Sequence, residues 1–228
     1  MALIIPYRNC SEELQQFAPH MLNYLSQKVI PHRMYVIHQV DDFRFNRGAL
    51  INVGFQEMDS DCDYVAMHDV DHLAIDPQLD YGYPSERPRH LAKSKYARAV
   101  GGVLLMTNEH YRKVNGLSNY FWGWGREDDN LFRRIQHARL KVQQPAYTFS
   151  SSAYRLIHNE DKRPRDKETH YNQEKMTHRF DIKSGLNSSR YTIESRNITI
   201  VNGAAVRFIN VHLYCNLTET PSCSKLTS

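Results

Sequence analysis

No stretch of this sequence is long and apolar enough to lie across a bilayer. The longest apolar run, glycines included, is eight residues, 99–106, against the roughly 20 that a helical span needs. No secretory leader opens the chain, because Met1-Ala2-Leu3-Ile4-Ile5 runs straight into Pro6. That start lies inside an expected strand, so a further segment is expected upstream. An excess of one charge is also missing. Lys and Arg outnumber Asp and Glu by 29 − 25 = 4, too few to mark nucleic acid as a partner. Histidine is scattered: of twelve, only His68, His72 and His158 fall near other candidate residues, which disfavours a metal-dependent hydrolase built on clustered imidazoles. There is no internal repeat and no low-complexity tract. Cysteine is limited to four. Cys215 and Cys223 lie eight apart in a turn-like tail, where a local disulfide is expected in an oxidising lumen and two free thiols are the alternative. Cys10 and Cys62 read as single buried thiols.

What is present fits one α/β domain. The 228 residues can bury a real core, and 41% hydrophobic with 24% charged residues excludes a disordered or fibrous chain. Four N-x-S/T triplets, at Asn9, Asn187, Asn197 and Asn216, also point to a lumenal compartment.

Strand and helix signals alternate in the first half. Residues 2–6, 33–40, 64–68 and 99–106 read as strands. Ser11 reads as a helix cap with Glu12 and Glu13 on the positive end, and Pro19 should kink that helix. Asn46 reads as the cap of a second helix. Residues 127–140 read as a third, with Leu131, Phe132, Ile135 and Ala138 inward. Such alternation implies a mostly parallel sheet with helices on its faces. Residues 155–179 read as a long, exposed basic segment. Residues 190–193, 197–201 and 205–214 alternate like a small antiparallel C-terminal part.

Ligands in parallel sheets bind beyond the carboxyl ends of the strands. Asp69-Val70-Asp71 stands at such an end, where two carboxylates one residue apart can hold a hard divalent cation beside a diphosphate. Solvated turn aspartates are the alternative. The second candidate is Phe121-Trp122-Gly123-Trp124-Gly125-Arg126-Glu127-Asp128-Asp129, which holds the only two tryptophans. Indole faces beside charges suit a sugar. Helix capping by acids would explain one or two carboxylates, but not the Trp-Gly-Trp-Gly lead-in. Three adjacent acids should also raise at least one carboxyl pKa, which suits a general base.

The words Phe45-Asn46-Arg47-Gly48-Ala49-Leu50-Ile51-Asn52-Val53-Gly54-Phe55, Met67-His68-Asp69-Val70-Asp71, Val100-Gly101-Gly102 and the nonapeptide 121–129 give the chain a close resemblance to the β-1,4-galactosyltransferases over nearly its whole length. Arg126 favours the branch that accepts xylose. The resemblance implies a GT-A type fold in one catalytic domain, residues 1–228. Residues 1–106 would mainly bind donor and metal, and 107–228 mainly the acceptor. It implies UDP-galactose as donor, Mn²⁺ as cofactor, a xylosylated core protein or xyloside as acceptor, inversion by one displacement, and a Golgi-lumenal enzyme anchored through an upstream membrane segment. Pro6, Tyr7, Arg8, Phe45, Asn46, Arg47, Val70, Asp71 and Trp124 match donor-site positions. Arg126, Glu127, Asp128 and Asp129 match the acceptor site, with Asp128 as catalytic base. Asp71 and His158 match metal ligands. Relatives accepting N-acetylglucosamine and a catalytically silent sugar-nucleotide-binding domain share the fold. Arg126 argues against the former, and intact Asp69, Asp71 and Asp128 against the latter. Two departures stand out. Several relatives carry a His-x-His pair where this chain reads Tyr154-Arg155-Leu156-Ile157-His158-Asn159. One alignment sets His158 on the second histidine and Leu156 on the first, another sets His158 on the single metal histidine of the other branch, and a site with one imidazole fewer and weaker Mn²⁺ binding is expected. A tyrosine often found before the Val-Gly-Gly word falls on or near Ser94, with Tyr96 close by.

Overall fold

A computed structural model describes residues 1–92, 99–145, 153–169 and 180–225. In chain order these form β1 (Ala2–Tyr7), α1 (Ser11–Gln27), β2 (Arg33–Gln39), α2 (Arg47–Glu57), β3 (Tyr64–His68), β4 (His72–Ala74), β5 (Arg89–His90), β6 (Val103–Thr107), α3 (Asn108–Lys113), α4 (Glu127–His137), β7 (Tyr154–Leu156), β8 (Tyr191–Val201) and β9 (Ala204–Leu213). Ser94, Tyr96 and the end of the basic segment, 170–179, lie outside the described residues.

Seven strands make one sheet in the order β5-β6-β3-β1-β2-β9-β8, and β4 pairs with β7 in a second, small sheet. The four central strands, β3-β1-β2-β9, are parallel. The flanking pairs are antiparallel. β1 and β3 are buried along their whole length, as strands covered on both faces must be. One apolar layer holds Leu14, Phe17 and Met21 of α1 against one face. The other packs α2, α3 and α4 on the opposite face through Leu50, Tyr111, Leu131 and Ile135.

Several elements differ from the sequence reading for local reasons. α1 starts at Ser11, with Cys10 at the cap and no side-chain cap bond. It runs unbroken through Pro19. Proline removes the amide that would bond the Gln15 carbonyl, and the Asn202 side chain donates to that carbonyl instead, at 2.9 Å. The strand expected at 99–106 begins only at Val103, because Gly102 holds φ +79°, a left-handed value that breaks strand geometry. Residues 99–102 therefore form a loop. α4 stops at His137, and Arg139 lies at φ +58° just beyond. The two strands expected before residue 202 are one strand with a register shift between Ile193 and Ser195. Asn202 and Gly203, both at positive φ, turn β8 into β9 as a tight hairpin requires. This antiparallel C-terminal part joins the main sheet through the β2–β9 pair. Asn46 caps α2 as expected, its Oδ1 accepting from the Ala49 amide at 2.9 Å.

Candidate active site

The carboxyl ends of β1 and β3 open into a cleft of about 650 Å³. Pro6, Arg8, Phe45, Arg47, Val70, Asp71 and Trp124 line it, as do Asp69, His72, Glu127 and His158. Arg8 stands over the Phe45 ring, 5.3 Å from its centroid, and donates to the Phe43 carbonyl at 2.7 Å. Two implied donor residues do not reach the cleft. Asn46 is fully buried, and its side chain bonds the Ala49 amide and the Asn119 carbonyl. Tyr7 packs edge-on against His38 and Phe208.

Arg47, the first residue of α2, joins the two sequence words. Its Nε donates to Asp69 Oδ1 at 2.7 Å, and its Nη1 lies 3.6 Å from Glu127 Oε1. Burial works against the guanidinium's charge, but Asp69 and Glu127 outweigh it and raise its pKa. Gly125 and Arg126, at φ +98° and +74°, turn the chain so that Glu127, Asp128 and Asp129 open α4. Burial first and Asp128 second push the Glu127 carboxyl up to about 7. Burial and then Asp129 raise Asp128 as well. The expectation that crowded acids shift upward thus holds in direction, with burial as the larger cause. Arg126 Nη1 donates to Asp129 at 3.2 Å. Asp128 lies against Gly101, where an added Cβ would come within 2.9 Å of its Oδ2.

Asp71 is the centre of the metal-site candidate. His72 Nδ1 lies 2.7 Å from its Oδ1 and His158 Nδ1 3.5 Å from its Oδ2. Asp69, Asp71 and His72 each offer a ligand atom within 4.8 Å of the others. His158 Nε2 is buried without a hydrogen bond among the described residues; Glu160 is 3.9 Å away. Carboxylate and imidazole together suit a borderline divalent ion, so the implied Mn²⁺ fits these residues. The sequence implies one imidazole here, whereas the fold brings two to one carboxylate. His68 has another role. It is fully buried, bonded to the Tyr81 hydroxyl at 2.9 Å, and burial pushes its pKa down to about 3.

Trp124 is 42% exposed at the cleft. The Arg165 guanidinium lies 5.2 Å and the Lys167 ammonium 5.8 Å from its ring centroid. Its amide donates to the Asp166 carbonyl at 2.8 Å. Buried Arg44 holds that segment down with bonds of 2.6 and 2.5 Å to the Asp166 carboxylate and a further one to Glu168. Lys162 pairs with Glu12 at 2.8 Å, and Arg163 pairs with Glu13. Sequence reasoning missed Arg44, Asp166 and Arg163. The signal for Arg163 and Asp166 is the density of charge in residues 155–169, which reads as solvent-exposed until the partners are known; Arg44, remote in the chain, carries no such signal. Cys215 and Cys223 form the expected disulfide, and Cys10 and Cys62 are buried free thiols. No helix among the described residues is long and apolar enough to cross a membrane.

A parallel-centred sheet with paired aspartates at a strand end, facing a basic cleft with a tryptophan at its mouth, suits the class of proteins that bind a diphosphate-linked sugar. Comparison with known proteins narrows the class. Residues 1–83 match the model for the N-terminal region of glycosyl transferase group 7, and residues 87–159 match that for the N-terminal domain of galactosyltransferase. The chain is 44% identical to human beta-1,4-galactosyltransferase 7 over 98% of its own length and 71% of the relative's. It is 40% identical to the Caenorhabditis elegans xylosylprotein 4-beta-galactosyltransferase over 98% and 81%. The catalytic domain of Drosophila beta1,4-galactosyltransferase 7 in complex with xylobiose superposes with a TM-score of 0.92 at 41% identity, covering 98% of each chain. A variant of that enzyme in complex with manganese, UDP-Gal and xylobiose gives 0.93 at 41% identity, covering 99% of this chain and 98% of the other. The chain belongs to the β-1,4-galactosyltransferase family.

Proposed function

We propose that this chain transfers galactose, with inversion, from UDP-galactose to the 4-hydroxyl of β-xylose on a proteoglycan core protein, in synthesis of the glycosaminoglycan linker. The observation that carries the reading is the junction at Arg47, which ties the Asp69-Val70-Asp71 turn to the acids that open α4, beside Trp124. Residues 1–106 serve mainly the donor and 107–228 mainly the acceptor, with Trp124 and His158 crossing to the donor side. The reaction takes place in the Golgi lumen, an oxidising compartment that the Cys215–Cys223 disulfide suits.

Asp71 and His158 would hold Mn²⁺, which when bound supplies positive charge to the diphosphate leaving group and makes an acid on the leaving oxygen unnecessary. The protein's own residues do the rest. Arg8 and Arg47 set positive charge against the donor. Asp128 accepts the proton of the xylose 4-hydroxyl as its oxygen attacks the anomeric carbon. The bond from that carbon to the diphosphate oxygen breaks, and UDP leaves with the electron pair. Arg126 and Asp129 hold the acceptor in line. Trp124 closes over the donor and keeps water from the anomeric carbon. The test is UDP release from UDP-galactose with an aryl β-xyloside or with N-acetylglucosamine, with Mn²⁺ added or withheld. Xyloside- and Mn²⁺-dependent release is expected. Turnover with N-acetylglucosamine alone would replace the acceptor, and no transfer to either would leave a binding domain.

A further inference from the structure

The small β4–β7 sheet stands beside the metal-site candidate. Its register sets His72 opposite Leu156, Leu73 opposite Arg155 and Ala74 opposite Tyr154. Residues directly opposite in an antiparallel pair project to the same face. His72 and Leu156 therefore share one face, and Leu156 is 65% exposed there. Just past the strand, the Ile157 amide donates to the Asp71 carbonyl at 3.0 Å and draws the chain onto the aspartate turn. His158 arrives from β7 and His72 from β4, one at each oxygen of the Asp71 carboxylate.

We propose that His72 is a ligand of the bound Mn²⁺, supplying a second imidazole beside Asp71 and His158 from the strand position opposite Leu156. The inference rests on the metal-dependent reading above and adds a ligand to it. Neighbouring ligand atoms on one small divalent ion lie roughly 3 Å apart, given bonds of about 2.1 Å. The observed 2.7 and 3.5 Å bracket that separation. Two imidazoles and a carboxylate favour a borderline ion over a strictly oxygen-seeking one. The ring is also fixed in place. Its Nε2 lies 3.0 Å from where a Cβ on Gly102 would stand, so the ring packs against Gly102 while Nδ1 faces Asp71.

A histidine that only orients Asp71 through a hydrogen bond would look similar in distance, so the test must count coordinated nitrogens. Mn²⁺ binding in the presence of UDP is measured by the electron paramagnetic resonance of free Mn²⁺. Electron spin echo modulation of the bound ion counts the imidazole nitrogens. Wild type should show two, and His72→Leu one, with Mn²⁺ held at least about tenfold more weakly. His72→Leu combined with Leu156→His should recover two nitrogens and most of the affinity, because the imidazole returns from the opposite strand. Should His72→Leu fold poorly by circular dichroism, His72→Gln keeps a polar side chain beside Asp71 and should also show one nitrogen. Two nitrogens with unchanged affinity in the His72 variant, or one nitrogen in wild type, would overturn the assignment and leave the metal-dependent reading standing. A wild type that binds no Mn²⁺ with UDP would overturn both.

Discussion

Asp128 and Glu127 are adjacent, yet they make different contacts. Glu127 lines the cleft and meets Arg47, whereas Asp128 rests on Gly101. A base acts only when deprotonated, and burial with Asp129 raises the Asp128 pKa. The rate should therefore fall as pH drops, and the acidic limb of kcat/KM, which reports the free enzyme, should lie above the ordinary aspartate range. Asp128→Asn should lower kcat by about 10²-fold or more while UDP binding persists. Normal turnover in that variant would remove the base assignment. Gly101→Ala probes the same carboxylate from the other side. The added methyl would press on Asp128 Oδ2, and the rate should fall because a base works only when held in line with the proton that it takes. Calorimetry should show unchanged UDP affinity; weaker UDP binding would mean that Gly101 serves the donor instead. Trp124→Ala should lower kcat, and indole fluorescence should change when UDP and Mn²⁺ bind. An unchanged rate would make Trp124 a structural residue.

At the scale of elements, Asn46 separates two accounts. The resemblance implies a donor contact, whereas the structure shows a buried helix cap that bonds the Ala49 amide and the Asn119 carbonyl. Losing a cap costs about 1 kcal/mol, and stranding a buried group about as much again. Asn46→Ala should thus lower Tm by several degrees, at roughly 2–4 °C per kcal/mol for a chain of this size, with KM for UDP-galactose nearly unchanged. A raised KM at unchanged Tm would favour the donor role. The same contrast explains what could be read in advance. Asp69-Val70-Asp71 and residues 121–129 are contiguous words, so their chemistry survives without a fold. The cap at Asn46 and strand β3 were equally local. Residues 99–106 read as one strand because glycines count as apolar along the sequence, whereas Gly102, at φ +79°, bends the chain before Val103. The meeting of His72 with His158, and of Arg44 with Asp166, depends on sheet register and loop docking across 86 and 122 positions of chain. No window along the sequence holds both partners.

The whole molecule connects its C-terminal tail to the mouth of the cleft. Cys223 is fully buried, and its carbonyl accepts the Arg44 amide at 2.8 Å. The Arg44 side chain grips Asp166, whose carbonyl holds the Trp124 amide. A disulfide closing an eight-residue separation stabilises by about 2.5 kcal/mol in the chain-entropy account, so the fold should survive its loss with a lower Tm. The activity should suffer more, because the tail is one anchor of the loop that carries Trp124. Replacing Cys215→Ser and Cys223→Ser together should leave circular dichroism near that of wild type and Mn²⁺ binding intact. It should lower kcat several-fold and reduce the fluorescence change of Trp124 on addition of UDP. Mass spectrometry of the unreduced wild type should show the two tail peptides linked. Two alkylatable thiols in the unreduced protein would refute the bond itself. A double variant with lower Tm but full kcat would confine the tail to stability and sever it from Trp124.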